Sequence, residues 1–178
     1  MSIVNPSSPA PSAVLLPPGA SSIAKKFYIK HVFRVGAIIW CKYQGQDYYV
    51  VIKSISRPNR GIQIPGGRVE RNEDIGKAVI REVAEETGIQ TRIVCPLGMI
   101  FYQNPADNYS NLQMFYIVKP FYPIDPTKKW FFIDRDATKQ EYECRCVSVN
   151  YPPEYLAVGQ DQVVKMFRQW LKEHKNRV

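Results

Sequence analysis

Runs of apolar residues broken by polar turns divide the first half of the chain into predicted strands. Residues 27–42 and 48–55 are rich in Val, Ile, Tyr and Phe, and a polar turn at 44–47 separates them. β-Branched and aromatic runs on either side of such a turn predict a β-hairpin. A second turn at 58–61 precedes the short apolar run 62–64, which predicts a third strand.

The pattern then alternates between helical and strand-like spacing. Residues 73–87 predict a helix, because acidic residues stand at its start and Gly88 follows its end. Residues 161–174 place apolar side chains at helical spacing and predict a second amphipathic helix. Strand-like runs occupy residues 91–103, 112–122 and 141–149. The order β-β-β-α-β-β-β-α predicts an α/β fold in which helices pack on a mixed sheet.

The first 24 residues differ from the rest of the chain. They contain no Lys, Arg, Asp or Glu, and five prolines with six serines make up 11 of them. Because so little apolar surface cannot offset the entropy of ordering, we predict a flexible tail at 1–24 and a single domain at 25–178. The segment lacks the basic start and long apolar run of a secretory signal. The alternative to a tail without its own function is an arm that binds a partner or adds a strand.

Composition narrows the class of protein. The 178 residues are 45% apolar and 22% charged, which is ordinary for one soluble globular domain. No apolar run approaches the roughly 18 residues that a membrane span requires, so we expect no membrane partner. The net charge of +8 by itself suggests an anionic partner, which could be a nucleic acid, a nucleotide or a membrane surface.

The number and spacing of the cysteines and histidines exclude a zinc site of the finger or ribbon type. The four cysteines have no CxxC spacing, and the chain has only two histidines, so a zinc finger or ribbon cannot be written from them. The simplest interpretation is four free thiols in a reducing compartment, which predicts a cytoplasmic protein.

Carboxylates on the first predicted helix indicate a site for a hard cation. Glu82 and Glu86 fall inside the arc formed by the apolar residues of this helix, and Glu85 lies beside them. Spacings of three and four residues bring such side chains together, where they repel one another and raise their own pKa values. Oxygen-rich clusters of this kind suit magnesium, manganese or calcium. The alternative is that Lys77 and Arg81 compensate the charge.

The segment 67–89 reads GRVERNEDIGKAVIREVAEETGI and resembles the signature of the Nudix hydrolases at every specified position. The fixed residues of that signature are Gly67, Glu73, Arg81, Glu82, Glu85, Glu86 and Gly88. The resemblance implies an α/β/α sandwich in which a glycine loop leads into the catalytic helix. It further implies an enzyme in which water cleaves a pyrophosphate bond with the help of Mg²⁺ or Mn²⁺.

The same resemblance implies a role for each residue of the signature. Metal ligands are expected from three glutamates, with a carbonyl oxygen of Gly66 or Gly67 completing the shell and one glutamate also available as the general base. Arg81 is expected to orient the glutamates by pairing with Glu73 rather than to touch substrate. The glutamates concerned are Glu82, Glu85 and Glu86.

Family members often recruit a base or a further ligand from outside the signature. The sequence leaves that choice open among six carboxylates, which are Glu70, Asp107, Asp134, Asp136, Glu141 and Glu143.

The substrate is less defined than the reaction. We expect a nucleotide or nucleotide-sugar, with ADP-ribose or a nucleoside triphosphate as the leading choice, and Pro105 lies about where ADP-ribose-hydrolysing relatives carry a proline. An RNA 5′-pyrophosphohydrolase is the alternative, since residues 25–60 carry eight basic side chains and one acidic one. Within that stretch Arg57 and Arg60, just ahead of the glycine loop, are predicted to bind substrate. A non-catalytic nucleotide-sensing domain is a third hypothesis.

The sequence leaves both aromatic stacking on a base and the oligomeric state open. Three aromatic residues are candidates to stack on a base, although a place in the core is the commoner fate of each: Tyr102, Tyr109 and Phe115. The tail and the apolar first strand leave room for a homodimer that exchanges a strand.

Overall fold

A computed structural model describes residues 30–104, 109–134, 139–150, 156–157 and 159–174. Seven strands form one sheet and two helices cover it. A 3₁₀ turn at Pro58–Arg60 lies between the second and third strands. The elements are β1 (Lys30–Tyr43), β2 (Gln46–Ser54), β3 (Ile62–Gln63), α1 (Ile75–Thr87), β4 (Thr91–Asn104), β5 (Tyr109–Pro120), β6 (Lys129–Ile133), β7 (Glu141–Ser148) and α2 (Gln160–His174).

Strand β1 joins the two halves of the mixed sheet. Its first part, residues 30–39, runs parallel to β5, and its last part, residues 40–43, pairs antiparallel with β2. The strand order is β4-β5-β1-β2-β7-β6, with β3 paired to β2. All the other strand pairs are antiparallel.

Alternation along β1 divides the core into two layers. Val35, Ala37 and Ile39 face α1, whereas Ile38 and Trp40 face α2, because successive side chains of a strand point to opposite sides of the sheet. Each helix therefore buries an apolar face against the same strand, and the result is an α/β/α sandwich. This confirms the fold class predicted from the sequence.

The segment that follows β3 is fixed to β1 by backbone hydrogen bonds. The N–H groups of Val35 and Ala37 donate to the carbonyl oxygens of Gly67 and Pro65, both at 2.9 Å. Val69 N–H in turn donates to a carbonyl oxygen of β1 at 3.1 Å. These bonds hold the glycine loop against the sheet just before α1 begins.

The predicted elements are confirmed with shifts of a few residues at their ends, but one strand was missed. Strand β6 is short, and its alternating exposed and half-buried side chains include the exposed Phe131. It lies at the sheet edge beside β7, and the apolar residues 130–133 are a strand signal that the predicted element order leaves out. The predicted tail at residues 1–24 lies outside the described residues.

Two expectations from composition can be compared with the structure. All four cysteines are free, and the Sγ atoms of Cys41 and Cys146 lie 3.8 Å apart, at hydrogen-bonding distance and without a disulfide. Neither helix in the described part of the chain has the length and apolar character that crossing a membrane requires.

Gly36 and Gly98 offer a matched test of packing on the α2 side of the sheet. An added Cβ would overlap the buried Phe115 ring at Gly36 and the terminal methyl of Met166 at Gly98. Because a locked ring cannot move aside and the end of a methionine can, we expect Gly36→Ala to lower the free energy of unfolding by about 2 kcal/mol and Gly98→Ala by less than about 1 kcal/mol. Urea unfolding measures both values, and equal losses would contradict this packing.

Candidate active site

Helix α1 has well-defined ends that fix the direction of its side chains. Asp74 caps the start, where its carboxylate accepts a hydrogen bond from Lys77 N–H at 3.0 Å. Gly88 ends the helix in the left-handed conformation, with φ of 74°, and its N–H donates to the carbonyl oxygen of Ala84 at 2.9 Å. Between these ends the apolar side of α1 packs on the sheet, and the carboxylates next to that side are carried toward the glycine loop.

Two glutamates of α1 lie against bare backbone in the glycine loop. Gly66 N–H donates to Oε2 of Glu86 at 2.7 Å. Gly66 has φ of 155°, and a Cβ there would overlap the carbonyl oxygen of Val35. A Cβ on Gly67 would overlap the carboxylate of Glu82. Only glycine therefore allows the loop to pass between β1 and these two carboxylates.

Arg81 holds the remaining acidic groups in one network. Its Nε and Nη2 donate to the two oxygens of Glu73 at 2.7 and 2.8 Å. Its Nη1 donates to Glu82 at 3.1 Å and to Glu85 at 2.9 Å, and Nη2 also donates to the carbonyl oxygen of Arg68 at 3.0 Å. These contacts use all five N–H donors of the guanidinium.

Burial and pairing shift the acidic pKa values in opposite directions. Loss of hydration raises the pKa of Glu86 to about 8, against the hydrogen bond from the loop. Burial also raises the pKa values of Glu82 and Glu85, although Arg81 opposes both shifts. Glu73 differs, because its hydrogen bonds to Arg81 lower its pKa to about 2. Negative charge is thus stabilised at Glu73 and incompletely compensated at the other three groups.

This donor set has the chemistry that a hard divalent cation requires. Three carboxylates with incompletely compensated charge surround a loop whose carbonyl groups supply further oxygens, and oxygen ligands of this kind suit Mg²⁺ or Mn²⁺. Among the described residues no three acidic, cysteine or histidine side chains form a ready-made metal cluster. Two of the glutamates instead pair with Arg81, Glu82 at 3.1 Å and Glu85 at 2.9 Å.

A cavity of about 240 Å³ opens beside Gly66 on the α2 side of the sheet. Side-chain amides dominate its polar wall, and Arg34 on β1 contributes a cation. Two of the amides are fixed by the backbone. Gln113 Nε2 donates to the carbonyl oxygen of Val35 at 3.2 Å, and Gln160 Oε1 accepts from Ile64 N–H at 2.8 Å. The cavity therefore combines hydrogen-bonding amides with direct access to the glycine loop.

The two arginines predicted to bind substrate lie apart from this cavity wall. Arg60 is the last residue of the 3₁₀ turn and Arg57 immediately precedes the turn, and both side chains are exposed. The turn is nevertheless tied to the cavity, because Gln63, which lines it, donates from Nε2 to the carbonyl oxygen of Arg60 at 2.9 Å. Their role as substrate contacts stays a prediction.

The structure separates the carboxylates considered as a general base. Asp134 is buried, and its charge and that of Glu70 contribute to the raised pKa of Glu85, so both act on the glutamate cluster. Glu143 instead pairs with Lys129 at 3.1 Å. Glu141 begins β7, and Asp107 and Asp136 lie outside the described residues.

Among the three aromatic candidates for stacking, Phe115 is the one whose side chain is described, and it is buried in the core while also lining the cavity beside Gly66. Phe115 is 1% exposed, and its ring fills the space above Gly36 as part of the core. The side chains of Tyr102 and Tyr109, and the whole of Pro105, lie outside the described residues.

Sequence reasoning missed two side chains near the glutamates. Arg34 lies on the same face of β1 as Ile38 and Trp40, which belong to the core. A basic residue at a position where the strand alternation predicts an apolar one is the sequence signal that could have identified it. Tyr142 on β7 donates to Gln140 Oε1 at 3.1 Å. Burial raises the pKa of this tyrosine, and the charge of Glu86 adds to the shift.

Comparison with known proteins agrees with this geometry. Residues 32–165 match the family model described as the NUDIX domain. A segment of 78 residues is 38% identical to the human protein named diphosphoinositol polyphosphate phosphohydrolase NUDT4B. That match covers 43% of this chain and 42% of the relative, so it spans less than half of either protein.

Solved structures show the same fold at low sequence identity. The NUDIX domain of Shewanella oneidensis NrtR, complexed with ADP ribose, has a TM-score of 0.63 and 15% identity over 87% of this chain and 99% of that one. An Ap4A hydrolase of C. elegans in a binary complex has a TM-score of 0.59 and 19% identity over 80% and 98%. A MutT NUDIX hydrolase from Burkholderia pseudomallei has a TM-score of 0.56 and 20% identity over 77% and 98%.

The depressed pKa of Glu73 predicts a pH-dependent contribution to stability. Its charged form is favoured in the folded state, so the contribution is present above the ordinary pKa of 4.5 and is lost as the pH falls through about 2. We expect Glu73→Gln to lower the free energy of unfolding at pH 7 by up to about 3 kcal/mol, with the gap closing between pH 5 and pH 2. Denaturant unfolding across this pH range measures it. Asp161→Asn, in an exposed pair with Lys165, is the control expected to change little, and a pH-independent gap for Glu73→Gln would contradict the assignment.

Proposed function

Since the chain belongs to the Nudix family, we propose that it hydrolyses the pyrophosphate bond of a nucleoside diphosphate linked to another group, in a reaction that depends on a divalent cation. ADP-ribose-like compounds and nucleoside triphosphates are the proposed substrates. The human relative is named as a phosphohydrolase, and the chemistry proposed here is of the same general kind.

One observation carries the proposal. Glu82 and Glu86 lie against the backbone of the glycine loop, with raised pKa values, and Gly66 of the same loop lines a cavity. Buried carboxylates that lack a compensating charge are unfavourable for stability, and such arrangements cluster at functional sites.

The roles of the residues follow from their positions. Glu82, Glu85 and Glu86, with a carbonyl oxygen of Gly66 or Gly67, would hold Mg²⁺ or Mn²⁺. A divalent cation supplies charge neutralisation at the pyrophosphate and makes water a better nucleophile near neutral pH. The glutamates must be deprotonated to act as ligands, so the surroundings that raise their pKa values also affect metal binding.

Arg81 and Glu73 act as positioning residues. Glu73 accepts two hydrogen bonds from Arg81 and one from Glu70 N–H at 2.9 Å, so the carboxylate holds the guanidinium in a fixed orientation. Arg81 then orients Glu82 and Glu85 toward the loop side of α1. We propose no contact between Arg81 and substrate, because its donors are already occupied.

In the proposed reaction water adds to one phosphorus and the bridging P–O bond breaks. The departing phosphate takes the electron pair of that bond, and the proton from water passes to a carboxylate. Raised pKa values suit a carboxylate for this task, because a general base works best when its pKa approaches the working pH. Burial raises the pKa of Glu85, and the charge of the buried Asp134 adds to the shift, so Glu85 is the proposed base.

The cavity supports a substrate with a polar, hydrogen-bonding end. Side-chain amides both donate and accept hydrogen bonds, as the edge of a nucleobase or a ribose requires. The amide residues on its wall are Gln63, Asn111, Gln113 and Gln160. Arg57 and Arg60 are proposed as contacts to phosphates at the rim, since their turn is bonded to Gln63.

Removal of pyrophosphate from an RNA 5′ end is the second candidate, and the excess of basic residues at 25–60 favours it. The two candidates differ in how they respond to salt. An RNA-directed enzyme should bind oligonucleotides with a steep salt dependence, because phosphate contacts release counterions. Turnover of free nucleotides without such a slope would remove the RNA candidate.

The free state of the cysteines supports a proposal for the cellular location. Four free thiols, one pair of them within 3.8 Å, agree with a reducing compartment, and we propose the cytoplasm.

Loss of one carboxylate tests the proposed reaction. We expect Glu85→Gln and Glu86→Gln each to lower Mg²⁺-dependent hydrolysis by on the order of 100-fold or more, because each removes a charged ligand. The assay is a screen of nucleoside triphosphates, ADP-ribose, dinucleoside polyphosphates, diphosphoinositol polyphosphate and triphosphorylated RNA. Glu173→Gln on α2 is the matched control, and activity within tenfold of the wild type in both site variants would show that the assignment is wrong.

A further inference from the structure

The sheet face that α1 covers continues past the start of the helix as an apolar surface. Val35 faces α1, so Phe33, two residues earlier on β1, lies on the same face. Residues paired across neighbouring strands share a face, and the pairing of β1 with β5 and of β5 with β4 extends each of these two positions into a row. The rows are Phe33–Leu112–Phe101 and Val35–Met114–Met99.

Most of this surface is exposed where it extends past α1. Phe33 and Met99 are each 59% exposed, Phe101 is 61% exposed, and Ile75 at the start of α1 is 39% exposed. Single exposed apolar side chains are ordinary on a protein surface, but a contiguous group of this size marks a contact with another molecule. We define the apolar patch as these four side chains and two half-buried ones, Leu112 and Met114.

The apolar patch has a concave part and a projecting part side by side. Phe33 and Ile75 line a groove together with residues 68–71, which follow the glycine loop. Met99 and Phe101 do not line the groove and stand on β4, the last strand at this edge of the sheet. A second copy related by a two-fold axis would insert its projecting side chains into this groove and receive those of the first copy. Such a reciprocal contact closes a symmetric dimer.

The rim of the groove carries exposed charges of both signs. Arg68, Glu70 and Arg71 are exposed there, and they form no ion pair with any side chain that the structure describes. A nucleic acid or an anionic membrane would meet a carboxylate on this rim as well as the arginines. In a two-fold contact the arginines of one copy can lie opposite Glu70 of the other. A second copy is therefore complementary in charge as well as in shape.

The area of the apolar patch is close to what a specific dimer requires. A large side chain such as phenylalanine has on the order of 200 Å² of surface, so about 120 Å² remains on each of Phe33, Met99 and Phe101. With Ile75, the half-buried members and the stems of the rim arginines, the patch comes to roughly 600 Å² per copy. Two copies would bury about 1,200 Å² in total, the lower end of the range for specific interfaces, so we expect a weak dimer rather than an obligate one.

We propose that the apolar patch is the contact surface of a homodimer in which the sheet faces of two copies pack against each other. Phenylalanine, methionine and arginine, the residue types gathered here, are enriched in protein interfaces. The contact requires no exchange of strands, because the start of β1 is already paired with β5 on one side and with the glycine-loop segment on the other. It is also independent of the proposed reaction, since no residue of the apolar patch belongs to the glutamate site.

Sedimentation velocity of the full chain, from low micromolar to several hundred micromolar concentration, tests the proposal. Dithiothreitol is present so that no intermolecular disulfide contributes. We expect the wild type to shift from monomer to dimer across this range, with a dissociation constant in the micromolar range. Phe101→Ser should weaken dimerisation by at least about 10-fold, because the two-fold axis removes the apolar side chain from the contact twice. Phe33→Ser should weaken it similarly from the groove side.

Phe131→Ser is the matched control, because Phe131 is also 61% exposed but lies on β6 at the opposite edge of the sheet. We expect its dimerisation to stay within about twofold of the wild type, and urea unfolding of all three variants to stay close to the wild type, because each side chain is exposed. A wild type that stays monomeric throughout would overturn the proposal and leave residues 1–29 or another molecule to cover the patch. A dimer that neither Phe33→Ser nor Phe101→Ser weakens, or an equal loss in Phe131→Ser, would also overturn it.

Discussion

Packing of α1 against β1 forces charged side chains to lie beside the sheet, and the site depends on this constraint. The helix must bury Val79 and Val83 against the apolar side of β1. Glu82 and Glu86 lie next to these residues on the helix surface and so are carried down to the glycine loop. Hydration is lost there, and the pKa of Glu86 rises to about 8. The proposed divalent cation would offset this cost, because its positive charge would replace the hydration that the carboxylates have lost.

Two arginines, Arg81 and Arg34, place positive charge near these carboxylates. Arg81 is bound on all sides by acidic groups and a carbonyl oxygen, so it fixes the geometry of the glutamates. Arg34 lies on β1 and lines the cavity beside Gly66, and its positive charge opposes the raised pKa values of Glu82 and Glu86. Gly66 and Gly67 allow the loop to pass between β1 and the carboxylates, because a Cβ at either position would overlap a neighbouring group. The backbone of β1 thus positions the loop.

The sequence is sufficient to predict α1 and its glutamates, because periodicity and residue type act locally there. The pairing of Arg81 with Glu73 was also predicted, and the structure shows it as a bidentate contact. Local reasoning fails where a feature depends on strands that are distant in the sequence. Arg34 lines the cavity together with Gln113 only because β5, some 80 residues later, pairs with β1. Strand β6 is a different case, because its apolar residues 130–133 are a local strand signal that the predicted element order left out.

Proton release on binding of Mg²⁺ tests the central claim most directly, namely that burial holds these carboxylates ready for a cation. Calorimetric titration in buffers of different ionisation enthalpy gives the number of protons released per ion. Because burial raises the pKa of Glu86 to about 8, this group is largely protonated at pH 7 and must lose its proton to become a ligand. We predict proton release at pH 7 that falls toward zero at pH 9 and is markedly smaller in Glu86→Gln. Binding of Mg²⁺ without proton release at pH 7, or the same release from Glu86→Gln, would contradict the account.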